Sequence, residues 1–299
     1  MPDQYNQMDV SKYKKIVRIL PLYAQSYTLK KLKRLIMRFV LIFLLSFEFA
    51  AYGSDKIAIT GSSTIAPVIG DLAKIFESRH RGTRIDVQTG GSSRGILDAR
   101  KGLAQIGMVS RALKVSESDL KHYTLAKDGL AIIGHKSNPI EELTEEQIRN
   151  IYTEKISNWK LVGGSDKEIV VVNKAEGRST LELFLKFFKL KNSEIKPDII
   201  IGDNEQGIKT VSKNPNAIAY VSIGAAEYNA SVGVPLKLLK FQGVAAQVKN
   251  VENGKYPLMR ELNLVTKGTP QGLADKFIKF VQSKESYKTI KEHYFVPIN

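Results

Sequence analysis

The chain has 299 residues, 43% hydrophobic and 25% charged, which is enough for two lobes that each bury a core. Its formal net charge of +15 suits an anionic partner, but no basic stripe is interleaved with aromatics, which argues against a nucleic-acid module. Cysteine is absent, which excludes disulfides, thiol catalysis, cysteine metal sites and a lipidated cysteine, and the four histidines, at 80, 122, 135 and 293, are not at metal-ligand spacing from one another.

The N-terminal 53 residues hold nine Lys/Arg against three Asp/Glu, and the remainder keeps a net charge of +9. Met37-Arg38, the apolar run 39–46 and a small-residue tail read as a secretory signal over 37–53, with cleavage before Ser54. Residues 1–36 are polar, basic and without a fold pattern, and read as an extension ahead of a start at Met37. The rival is a cytoplasmic tail on an uncleaved anchor, which the short apolar run disfavours.

From residue 56 strands and helices alternate. A strand at 56–60 precedes a helix whose apolar face is Ile65, Val68, Ile69, Leu72, Ile75 and Phe76, at helical spacing. A strand at 84–88, a helix at 94–101 closed by Gly102 and a strand at 104–108 follow. The apolar stretch 130–134 breaks at 135–139. Thr144 and Gln147 form a capping box for a helix at 145–153. A strand at 169–173, a helix at 180–190, a strand at 198–202, a helix at 204–213 and a strand at 217–221 repeat the scheme. A strand at 260–266 and helices at 270–282 (with Pro270 at its first position) and 285–292 end the chain. This βαβ logic predicts mostly parallel sheets. It places lobe I at 54–134 and 260–299 and lobe II at 135–259, joined by adjacent strands near 130–136 and 258–267.

Three Gly/Ser turns, at 61–64, 90–93 and 177–180, each lie between a strand and a helix. Helix N-termini carry unpaired N–H groups and partial positive charge, so three of them with hydroxyls and arginines form a cradle for a tetrahedral oxyanion. Open α/β sheets bind ligands at these carboxyl ends of strands. No nucleophile–His–acid set, zinc spacing or Walker loop is present, so no enzyme and no cofactor is expected. Trp159 reads as packing and Asp203-Asn204-Glu205 as a helix start.

The ordered set Ile59–Pro67, Thr89–Gly95, Ala104–Arg111, Leu143–Gln147, Ile156–Trp159 with Gly163-Gly164, Glu176–Thr180, Asn216–Val221 and Tyr256–Arg260 closely resembles the phosphate-binding proteins of bacterial phosphate ABC importers. The resemblance runs from about residue 55 to the C-terminus. It implies a two-lobed periplasmic-binding-protein fold of the second type, a Venus flytrap with a two-strand hinge and an interlobe cleft. Carried over position by position, it implies that Ser63, Thr64, Ser92, Ser93 and Ser110 bind from lobe I. Arg178, Ser179 and Thr180 then bind from lobe II, and no metal takes part. The implied partners are inorganic phosphate and an inner-membrane ABC permease, for a monomeric periplasmic protein; a phosphate sensor facing a receptor, or a binder of sulfate or molybdate, is the alternative.

Two positions depart from the family pattern. The best-known members carry an acid after the serine matching Ser110, where it accepts the phosphate proton and rejects sulfate. Here Arg111 stands there; it joins the expected ligand set, the other reading being a salt bridge that holds the loop. The lobe II turn, usually Gly-Ser-Gly-Thr, is Gly177-Arg178-Ser179-Thr180, with Glu176 or a backbone carbonyl as the candidate acceptor. These changes predict a site that favours the more highly charged anion, with affinity holding or rising from about pH 6 to 8 until basic groups titrate.

Overall fold

The computed structural model describes Met37 and residues 55–298. The expected extension at 1–36 and, Met37 apart, the expected signal at 37–53 lie outside the described residues. Among the described residues no helix is long and apolar enough to cross a membrane.

Strand β1 (Asp55–Gly61) pairs in parallel with β2 (Thr83–Thr89) and with β3 (Ile106–Val109). Strand β9 (Met259–Lys267) runs antiparallel to β3, and β4 (Leu120–His135) antiparallel to β9. The far half of β4 enters a second set of strands. There it pairs antiparallel with β7 (Ala217–Ser222), which is parallel to β5 (Val170–Lys174), itself parallel to β6 (Ile199–Ile201). Strand β8 (Leu236–Leu238) and the short β10 (Val296–Pro297) also pair with β4.

Helices α1 (Ala66–Arg79) and α2 (Ser92–Lys101) cover the first set of strands, with α8 (Gly272–Val281) and α9 (Tyr287–Glu292). Helices α3 (Glu145–Tyr152), α4 (Ser179–Phe187), α5 (Asn204–Lys213), α6 (Ile223–Ser231) and α7 (Val248–Glu252) belong to the second. Each lobe has its own core. Ile59, Leu72, Phe76, Met108, Leu264 and Phe277 fill lobe I. In lobe II, Phe184 stacks on Tyr220 at 4.1 Å, with Tyr152, Trp159 and Phe188 around them. Burying each such side chain stabilises its lobe by ~1.5–3 kcal/mol. Strand β4 serves both, giving Leu125 and Ala126 to one core and Leu130–Ile133 to the other.

The alternation expected from sequence is present, with four corrections. The partner of the strand near 258–267 is residues 120–129, not 130–136, which pair instead with β7 and β8. The sheets are parallel only away from the hinge, because β4 and β9 run against their neighbours. Helix α8 begins at Gly272 with Gln271 at its cap, so Pro270 precedes the helix rather than opening it. The first turn of the last helix is a 3-10 turn at Lys284–Ser286. Trp159 is buried and donates its ring N–H to the Asn216 carbonyl, and Asp203 caps α5 at Gln206, both as expected.

Candidate functional site

The carboxyl ends of β1, β3 and β5 meet between the lobes around a small polar cavity. Lobe I supplies Ser62, Ser63, Thr64, Gly91, Ser92 and Ser110; lobe II supplies Lys174, Arg178, Ser179, Thr180 and Gly202. Helix α2 opens after Gly91 and α4 after Arg178, neither with a side-chain cap, so their first-turn N–H groups, that of Ser93 apart, are left for an outside acceptor. The lobes touch here: Ser93 N–H donates to the Gly177 carbonyl at 3.2 Å, and Asn204 donates to Thr64 Oγ1 at 3.2 Å. Gly91, with φ of 92°, is required, since a Cβ there would stand 2.6 Å from the Gly177 oxygen.

The hydroxyls are pre-set. Ser62 Oγ donates to Ser110 Oγ at 3.0 Å and accepts Thr64 N–H at 3.2 Å, while Ser92 Oγ accepts Ser110 N–H at 3.2 Å. Ser179 Oγ is buried with no partner among the described residues. Buried hydroxyls are normally paired, and this one, on the cavity wall, is open to an outside partner.

The charges are cationic. Lys174 is buried and donates to the Asp203 carbonyl at 2.8 Å. Burial first, then the Arg260 charge, lowers its pKa to about 7. The Arg178 guanidinium makes no hydrogen bond among the described residues. Arg260 lies behind the cavity, donating to Thr180 Oγ1 at 3.0 Å and Thr64 Oγ1 at 3.3 Å. Asp128 balances it at 2.7 Å. None of the lining residues is a carboxylate. Such a pocket, with several cations, hydroxyls and free helix N–H groups, can hold a compact dianion.

Ser63, Thr64, Ser92, Ser110, Arg178, Ser179 and Thr180 are thus brought together around one cavity. Ser93 and Arg111 are not among its lining residues. Ser93 is exposed and faces Glu182 at 3.4 Å. Arg111 is buried in a two-bond pair with Glu117, at 2.7 and 2.8 Å. Burial opposes its charge, but Glu117 and Glu182 more than compensate and raise its pKa. Glu176 is exposed and accepts from Asn192, away from the cavity. The sequence reading missed Ser62, Gly91, Lys174, Gly202 and the supporting Arg260. Lys174 carried one signal, a lysine ending an apolar strand just ahead of a helix-opening turn.

Residues 50–285 match the PBP superfamily domain, and the chain belongs to that superfamily of two-lobed binding proteins. Within it, the chain is 34% identical to a Clostridium perfringens protein assigned as a phosphate ABC transporter substrate-binding protein, solved with bound phosphate. That structure aligns with a TM-score of 0.75 over 82% of this chain and all of the other. An ABC-type phosphate transport receptor from Vibrio cholerae aligns at 31% identity with a TM-score of 0.66, over 82% of this chain and all of that one. The phosphate-binding protein PstS of Bacillus subtilis is 27% identical over 250 residues, 82% of this chain and 81% of that protein. The chain is a member of the PstS-like family.

Proposed function

We propose that this protein captures inorganic phosphate in the interlobe cavity and delivers it to an inner-membrane ABC permease. It acts without chemistry, as a monomer exported to the periplasm by the segment at 37–53. The observation that carries the reading is the unpartnered Ser179 hydroxyl beside Lys174 and Arg178, at the mouth of two uncapped helices. Ser63, Thr64, Ser92 and Ser110 face them from lobe I. Ser93 and Arg111 support the lobe contact from outside the cavity.

Isothermal titration tests this directly. Phosphate should bind with one site per chain, equally well after chelator treatment. Arg178→Ala should weaken binding by ~2–3 kcal/mol, the loss of a charge-assisted bond to a desolvated anion, with thermal unfolding little changed. Absence of heat at millimolar phosphate would sink the reading. Because no lining residue is a carboxylate, sulfate should compete measurably. Equal affinity for sulfate and phosphate would establish the broader oxyanion function instead.

A further inference from the structure

Beside the cavity, three lobe I side chains converge on one lobe II carboxylate. Lys114 Nζ stands 2.5 Å from Glu182 Oε2. Arg111 Nε stands 3.1 Å from the same oxygen, out of line for a hydrogen bond, so the contact is one of charge. Ser93 Oγ donates to Glu182 Oε1 at 3.4 Å. Arg111 is held within lobe I by Glu117, and its carbonyl accepts from Asn263 of β9 at 3.0 Å. Arg111 and Lys114 against Glu117 leave lobe I one positive charge in excess. Glu182, the fourth residue of α4, cancels it only when the lobes meet.

We propose that Glu182 is a positioning residue for binding, a clasp that holds the lobes closed without touching the ligand. A site complete only in the closed form has an apparent affinity scaled by the fraction of closed molecules. An interlobe ion pair raises that fraction before any ligand arrives. Partly buried as it is, at 22% side-chain exposure, the Glu182 carboxylate is less screened than a surface pair. The effect of Glu182 on affinity rests on the anion-binding reading above; its effect on closure does not.

The sign of one effect separates the clasp from a mere neighbour. Glu182 is an anion two residues beyond the cavity-lining Thr180. If it acted only through its field, Glu182→Gln would strengthen phosphate binding. The clasp requires the opposite, a loss of roughly three- to tenfold. Small-angle scattering of the ligand-free chain should show Glu182→Gln more expanded than wild type, with phosphate restoring the compact form. Lys114→Met, at an exposed side chain that leaves both cores untouched, should expand the ligand-free form likewise, and the double variant should expand little further. Unchanged ligand-free dimensions in both single variants, or tighter phosphate binding by Glu182→Gln, would overturn the proposal. Expansion of the variants in a chain that takes up no phosphate would leave the clasp standing and remove the phosphate reading.

Discussion

Lys174 makes binding a proton-coupled event. Burial is the main cause of its low pKa of about 7, and the Arg260 and Arg178 charges add to it. A dianion in the cavity supplies the missing counter-charge and raises that pKa, so binding above about pH 7 takes up a proton. Apparent affinity should then fall as pH rises beyond 7, by up to ~10-fold per unit. Above about pH 8 phosphate is already the dianion, so the fall there belongs to Lys174. Above about pH 7 this reverses the sequence expectation of affinity that holds or rises to about pH 8, which placed the titration of basic groups higher. Lys174→Arg, charged throughout, should flatten the profile. Calorimetry in buffers of differing ionisation enthalpy reads the proton directly; parallel profiles for the two proteins would refute the coupling. The ligand-free fold carries the linked stability effect. Its lysine binds fewer protons than the unfolded chain between about pH 7 and 10.4, so stability rises with pH across that window, and the penalty is full below it.

At the scale of elements, the cradle depends on how closely α2 approaches the strands. A Cβ at Gly95 would stand 2.8 Å from the Met108 carbonyl oxygen and 2.9 Å from that of Thr60. Gly95→Ala must therefore push the helix start off β1 and β3, moving Ser92 and the free N–H groups away from the cavity. The expected cost is ~1–3 kcal/mol of stability, with phosphate affinity at least about tenfold weaker although no ligand contact is removed. Thermal unfolding and titration of the same variant check both; wild-type affinity would show that the helix position does not matter. The turns themselves were legible, because Gly and Ser at strand ends have a local reason to be there. The first half of β4 was not. Residues 120–129 include Lys121, His122, Lys127 and Asp128, and the register shifts between Thr124 and Ala126, which breaks the two-residue alternation. For Arg111 the sequence left ligand and loop-holding salt bridge both open, because nothing along the chain marks its partners. Glu117 reaches it through a 3-10 turn and Glu182 from the other lobe, and neither spacing is visible along the chain.

The whole molecule turns on the place where β4 and β9 cross between lobes. Asp128 and Arg260 face each other in that ladder and pair at 3.0 and 2.7 Å, each side chain only 1% exposed. The same guanidinium reaches Thr64 of lobe I and Thr180 of lobe II, both lining residues of the cavity. One cation thus ties the hinge to the two walls that must meet around an anion. Asp128→Asn leaves a buried arginine without its counter-charge, at a cost of ~3–5 kcal/mol. For a chain of this size that lowers the melting temperature by roughly 10 °C. A bound dianion would then be the nearest negative charge to Arg260. Saturating phosphate should therefore raise the melting temperature of Asp128→Asn by more than it raises that of the wild type, although the variant is less stable. Calorimetric scans with and without phosphate give both numbers. An equal phosphate-induced rise in the two proteins would mean that the Arg260 charge does not reach the ligand, and that hinge and site are coupled only through the threonine hydroxyls.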